Sequence, residues 1–373
     1  MAIQASTPMK KFLLFLSCIL LLVGSCGGPL ITRLYFLHGG KRIWLSSSSQ
    51  TIAFPIILVP LSITYFTGRK TEGSDAKILL MKPFLIMFSL LIGLIMGILN
   101  FLYSSGSAKL PVSTSSLIGS SQLAFTASFA FFLVKQKFNP YSVNTVFLLT
   151  LGAALLGLRS NGDRPEGEGK KEYVVGFVMM ILGACIYGFL TPLIERCFRK
   201  AKQEVCYSLA MEFNMVMCFS ATVFCTVGMI INKDFQAIAR EAREFDLGEV
   251  QYYIVLALNA IIWQMQLVGV NGVIFCSSAL LSGILVSVAL PITEVLAVIF
   301  YKEKFEVEKC VSLVLSLWGF ASYFYGEIKL NRKLKNQSLE QEDASEKSEA
   351  LELQQKSPKT SPDSHQIIFA NLE

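Results

Sequence analysis

Long apolar runs alternate with short charged stretches along this chain. Residues 83–103, 110–134 and 173–194 contain no Lys, Arg, Asp or Glu. Each is long enough to cross the hydrocarbon layer, which takes about 20 apolar residues in a helix. Lipid offers backbone groups no hydrogen-bond partner, so segments of this kind are helical. The pattern predicts an all-α membrane protein with ten spans: 12–32, 43–66, 83–103, 110–134, 141–158, 173–194, 205–231, 252–272, 273–301 and 310–326. The boundary between the eighth and ninth is the least marked. Connections are short and leave no room for a separate soluble domain. The one long polar segment, 331–373, is rich in Glu, Lys, Ser and Gln, the composition of a disordered tail. Ser357 and Ser361 each precede a proline there, a pairing common in such tails.

Two stretches repeat. Pro29-Leu30-Ile31-Thr32-Arg33 closes the first span and Pro192-Leu193-Ile194-Glu195-Arg196 closes the sixth, an offset of 163 residues. Lys135-Gln136-Lys137-Phe138 recurs as Lys302-Glu303-Lys304-Phe305 at an offset of 167, and in that register Ser115, Ser120, Thr126, Ala130, Gly152 and Ala154 meet Ser282, Ser287, Thr293, Ala297, Gly319 and Ala321. Lys10 and Lys11 ahead of the first span give it the look of a signal peptide, but its counterpart in the second half argues that it is retained. The expected organisation is an N-terminal segment 1–11, a first five-helix repeat 12–158, a connecting loop 159–172, a second repeat 173–328 and a tail 329–373. Five spans are an odd number, so the halves enter the membrane in opposite senses. Such inverted repeats belong to secondary transporters, whose solute site lies near the midplane between the halves.

Composition agrees. Of 373 residues, 53% are hydrophobic and 16% charged, against roughly 45–50% and about 25% in soluble domains. The net charge of +6 fits basic inner loops and gives no reason to invoke nucleic acid. Basic residues near both ends place those ends on the cytoplasmic side, although Arg159, Arg164, Lys170 and Lys171 sit in an outer loop. Cys18, Cys26, Cys185, Cys218, Cys225 and Cys276 lie inside spans without a CxxC pair and read as packing residues. His38 and His365 are the only histidines, so neither a metal site, a cofactor site nor a Ser-His-Asp arrangement is expected, and an enzymatic reaction has no visible chemistry.

Polar residues within spans are where a solute site is sought, because burying them costs free energy unless they meet each other, water or a solute. Glu294 is the only charged residue between Gly272 and Tyr301 and follows Pro291 by three positions. A carboxyl in the bilayer centre is unfavourable by about 2.5–3.5 kcal/mol on insertion scales, so Glu294 is a candidate proton carrier, or else a structural partner at a helix bend. Asn259, Trp263 and Gln266 follow at i, i+4 and i+7 and share one helix face. That face offers an aromatic plane beside amides, suited to a flat heterocycle, or equally to interhelical hydrogen bonding around a packed indole. Asn100 and Tyr103 form a similar pair, and Gln122 is the most polar residue of a fourth span otherwise rich in small serines. Glu212, near the start of the seventh span, is expected to be structural.

Several longer motifs carry a resemblance. Leu37-His38-Gly39-Gly40-Lys41-Arg42-Ile43-Trp44-Leu45-Ser46-Ser47, Leu110-Pro111-Val112-Ser113-Thr114-Ser115-Ser116-Leu117, Gln122-Leu123-Ala124-Phe125, Gln136-Lys137-Phe138 and Leu317-Trp318-Gly319-Phe320-Ala321-Ser322-Tyr323 resemble the signatures of plant purine permeases, a branch of the drug/metabolite transporter superfamily. The resemblance implies a ten-helix inverted-repeat fold and proton-coupled uptake of adenine-like bases, cytokinins, alkaloids or related heterocycles, with the plasma membrane as the expected location. Ser46 to Gln50 departs from it, with serine where a bulky or aromatic residue is common. The expected partners are therefore a purine-like solute, protons and the lipid bilayer. A phosphorylated sugar or nucleotide sugar would call for cationic residues in the cavity, and the central parts of the spans offer no Lys or Arg. A membrane receptor or scaffold without transport is the reading from another class.

Overall fold

The computed structural model describes residues 7–72, 80–110, 112–135, 139–158, 170–201, 207–301 and scattered positions between 307 and 332. The tail and the 159–169 connection lie outside the described residues. Among those described, every regular element is helical. Seven helical stretches among the described residues are long and apolar enough to cross a membrane: Pro8–Leu37, Ile43–Ile63, Pro83–Lys109, Val174–Lys200, Tyr207–Ile231, Glu249–Cys276 and Ala279–Tyr301, with a shorter apolar helix at Ser121–Val134. Exposed Phe15, Phe132, Phe147 and Ile231 suit an exterior bathed in hydrocarbon. Met1–Ser322 forms one compact unit and Tyr323–Glu373 a second.

Helix α1 (Thr7–Leu37) contains Pro29. Proline has no N–H, so the Ser25 carbonyl one turn earlier loses its helical donor. The second span is broken rather than continuous. Helix α2 (Ile43–Ser49) stops after seven residues, a 3-10 turn follows at Phe54–Ile57, and α3 runs over Leu58–Glu72. Two local causes are visible. Pro55 cannot donate to the ladder, and the Ser47 and Ser49 hydroxyls bond back to the Ile43 and Ser46 carbonyls, both at 2.7 Å, a competition that favours helix ends. Trp44 anchors α2, stacked on Phe101 at 4.2 Å and lying over Gly228, where a Cβ would come within 2.2 Å of the indole.

The remaining elements are α4 (Pro83–Lys109), α5 (Val112–Val134), α6 (Pro140–Leu158), α7 (Lys170–Lys200), α8 (Tyr207–Ile231), α9 (Asp234–Glu244), α10 (Glu249–Cys276) and α11 (Ala279–Tyr301). The break between the eighth and ninth spans falls at Ser277–Ser278, not at Gly272, because Gly272 is a packing position whose absent Cβ makes room for Ser17. The short helix α9 was not legible as a span and is not one. Its Ile238 and Ala242, four residues apart, pack with Tyr35, Phe245 and Tyr252. There Glu241 accepts the hydroxyls of Tyr35 and Tyr252, and Arg42 lies 3.5 Å from both Asp234 and Glu241. Glu212 is structural: its carboxylate accepts the Leu80 and Met81 amides just ahead of α4, at 2.9 and 3.1 Å. Residues beyond α11 are held to α6 by Thr145, whose hydroxyl donates to the Gly319 carbonyl at 2.9 Å.

Helix α1 packs along α10, α7 along both α4 and α5, and α11 against α1 and α5. Small residues permit the closest approaches, as they commonly do in membranes. A Cβ on Gly24 would lie 2.5 Å from the Gln266 backbone nitrogen, and one on Gly269 would lie 2.4 Å from that of Leu21. Backbone cannot swing aside as a side chain can, so Gly24→Ala is expected to destabilise the protein by about 1–3 kcal/mol. Thermal unfolding of the purified protein in detergent measures it, and an unchanged midpoint would mean that α1 and α10 are not held at this distance.

Candidate functional site

The helices enclose a cavity of about 120 Å³. Its wall draws on both halves of the chain: Ser25, Pro29 and Arg33 from α1, Gln50 from the break after α2, Asn100 and Tyr103 from α4, Ser115 and Gln122 from α5, Tyr187 from α7, Trp263 and Gln266 from α10, and Leu290 from α11. Of the residues singled out from the sequence, Asn100, Tyr103, Gln122, Trp263 and Gln266 meet here. Asn259 does not reach the wall. Glu294 lies in α11, but its side chain, like that of Pro291, falls outside the described residues.

The aromatic pair is Tyr103 and Trp263, with ring centroids 5.3 Å apart and planes at 75°. Trp263 is fixed from two sides. Its ring lies against Gly28, where a Cβ would come within 2.9 Å of it. Its indole N–H donates to Thr32 Oγ1 at 3.1 Å, Thr32 donates to Asn259 Oδ1 at 3.1 Å, and Asn259 donates to Ser49 Oγ at 2.7 Å. The indole's only donor is thus consumed, so the ring offers the cavity an apolar aromatic surface and no hydrogen bond. Asn259, 2% exposed, stands behind that ring and is tied to it through Thr32. Thr32→Val keeps the shape and cuts the relay, leaving buried donors and acceptors without partners at about 1–3 kcal/mol. The expected result is a lower unfolding midpoint together with a loosened Trp263, read as altered indole fluorescence. A spectrum identical to the parent's would mean that the relay does not hold the ring.

The amides differ in how far they are committed. The Asn100 side chain reaches the Ser47 carbonyl at 3.5 Å, and its own carbonyl accepts the Ser47 hydroxyl at 3.2 Å, tying α4 to the broken span. Gln50 donates to Ser104 Oγ at 2.9 Å. By contrast, the Gln266 side-chain oxygen, the Tyr187 hydroxyl and the Ser25 and Ser115 hydroxyls are buried without a hydrogen-bond partner among the described residues. An unsatisfied buried polar group costs about 1–3 kcal/mol, so these atoms are where an entering polar solute gains most.

Arg33 corrects an expectation. The sequence reading had no cation in the cavity, yet Arg33 lines it, half-buried and without an ion pair among the described residues. Arg33 lies one residue beyond the predicted end of the first span, and the packing of the neighbouring helices brings it to the cavity wall. Gln50 and Tyr187 were also missed. Gln50 is the only amide of its span, a signal that was available; Tyr187 sits in a segment apolar all round, with no periodicity to point it inward.

A family model described as purine nucleobase transmembrane transport matches residues 12–333. The chain belongs to that family. It is an integral membrane protein of a transport family, as the helices alone would suggest. Purine permease 3 of Arabidopsis thaliana is 51% identical over 323 residues, covering 86% of this chain and 92% of that one. Purine permease 2 of the same plant is 49% identical over 342 residues, with 88% and 96% covered. Among solved structures, a crystal structure 15% identical in sequence aligns with a TM-score of 0.57 over 87% of this chain and 99% of that one. It shares the fold.

Proposed function

We propose that this protein carries purine bases and related flat N-heterocycles, including adenine, cytokinins and alkaloids, across the plasma membrane as a proton-coupled carrier rather than a catalyst. The observation that carries this reading is the cavity itself: the Tyr103–Trp263 pair faces a space ringed by amides and by hydroxyls that lack partners. At roughly 10–15 Å³ for each water-sized group, a cavity of about 120 Å³ holds about ten such groups, the scale of a bicyclic base. A ring stacks on the aromatic surface while Asn100, Gln122 and Gln266 bond its edge. Glu294 takes up the coupling proton.

The working architecture is two inverted five-helix repeats, residues 12–158 and 173–328, alternating access around the cavity. Helix packing supports it. If α1, α4, α5 correspond to α7, α10, α11, the contact of α1 with α10 answers that of α7 with α4, and α5 on α7 answers α11 on α1. Equivalent threonines even make equivalent bonds, Thr126 to the Gln122 carbonyl at 2.9 Å and Thr293 to the Ala289 carbonyl at 2.8 Å. Arg33 is the one observation favouring an anionic solute. Uptake of labelled adenine in proteoliposomes, competed by heterocycles and by a nucleotide sugar at two external pH values, separates the readings. Competition by neutral bases, with greater uptake at the lower external pH, is expected. Competition by the nucleotide sugar alone would overturn the proposal.

A further inference from the structure

Equivalent arginines of the two repeats stand in different circumstances. Arg196 in α7 corresponds to Arg33 in α1 through the Pro-Leu-Ile motif. Its Nη1 donates to the Leu133 carbonyl at 2.9 Å, and Arg199 donates to that of Val134 at 3.4 Å. These are the last carbonyls of α5, which ends as Lys135 turns to φ 53°. Such carbonyls have no helical donor and carry the negative end of the helix dipole, so a guanidinium is a fitting cap. On the same turn Glu195 accepts the Ala279 amide at 2.7 Å, at the first residue of α11. The end of α7 is therefore fastened to two neighbouring helices.

The same turn of α1 is fastened differently. Thr32 is occupied by Trp263 and Asn259. Arg33 faces the cavity and makes no hydrogen bond or ion pair among the described residues. The counterpart of α5's end is nonetheless close, since the Tyr301 hydroxyl donates to the Leu30 carbonyl at 2.7 Å, one turn before Arg33. In the repeat register Leu133 and Val134 correspond to Phe300 and Tyr301.

We propose that Arg196 and Arg33 are alternating latches of the transport cycle. In the state seen here Arg196 caps α5 and holds one side shut, while Arg33 lines the cavity. In the opposite state Arg33 caps the last turn of α11, and Arg196 lets α5 go. The proposal rests on the inverted-repeat, alternating-access reading above.

The test uses Ser107→Cys, a position on the cavity wall, in sealed proteoliposomes, reacted with a membrane-impermeant maleimide added on the side from which the parent is labelled and read by mass spectrometry at that site. Arg196→Gln removes the latch of the observed state and is expected to slow labelling by about tenfold. Adding Arg33→Gln to Arg196→Gln weakens the opposing state as well and should restore the rate towards the parent's; Arg33→Gln alone should not slow it. Should Arg196→Gln fail to fold, Arg196→Lys, which keeps the charge with a poorer fit, gives the same comparison. A double variant as slow as Arg196→Gln, an Arg33→Gln variant that is itself slow, or no effect of either change would each overturn the latch. If Arg33→Gln only weakens protection by adenine, Arg33 is a solute anchor instead. Failure of the underlying reading looks different: saturating adenine would then leave labelling of Ser107→Cys unchanged even in the parent.

Discussion

Trp263→Ala is expected to weaken purine binding by roughly 5- to 150-fold, the range for losing a base–aromatic stack of about 1–3 kcal/mol. The effect should be large because Trp263 arrives already ordered. Gly28 lies beneath it, Thr32 holds its N–H and Tyr103 meets it edge to face, so a solute spends little free energy arranging the surface on which it stacks. Trp263→Phe separates the two contributions, since it keeps a ring and gives up the relay. It should retain most of the affinity while losing thermal stability. Direct titration of adenine into purified protein measures both variants. An alanine variant within twofold of the parent would assign Trp263 to packing, with the solute stacked elsewhere.

Glu294→Gln should abolish accumulation driven by a pH gradient while leaving solute exchange largely intact. Glutamine copies the protonated carboxyl in shape and charge, so binding and the conformational cycle survive, but it cannot give the proton back. One pH unit is worth about 1.4 kcal/mol, a factor of ten in concentration. With one proton per solute the parent should concentrate adenine up to about tenfold per unit of gradient, and the variant should stop at equal concentrations inside and out. Vesicles preloaded with unlabelled adenine report exchange in the same preparation. Continued accumulation by the variant would move coupling to another group. Glu212 is poorly suited to inherit it, since its carboxylate is committed to the Leu80 and Met81 amides.

What could be read from the sequence followed physical strength. Hydrocarbon demands long apolar helices, and the seven among the described residues that are long enough to cross it each overlap one of the ten spans expected. Breaks were less legible. The interruption of the second span depends on Pro55 acting together with serine hydroxyls that bond their own backbone, and the turn at Ser277–Ser278 carries no glycine or proline to announce it. At the site, the shared face of Asn259, Trp263 and Gln266 was correctly read as a face but not in depth. Position 259 lies one turn earlier in α10 than Trp263, about 6 Å at 1.5 Å per residue, which sets it behind the ring with Thr32 and Ser49. Arg33 shows the converse: helical periodicity says which way a residue faces, and only the packing of neighbouring helices determines how near the surface a cavity extends.

The shortness of α2 also bears on how the protein is made. Seven residues rise about 10 Å, a third of the hydrocarbon thickness, and the four serines that follow its Trp44 and Leu45 are buried because α4, α8 and α10 lie against α2. When this segment leaves the ribosome none of these helices has yet been synthesised. The second span must therefore wait in a partly hydrated condition, and its cover is complete only after the chain has been translated through α10.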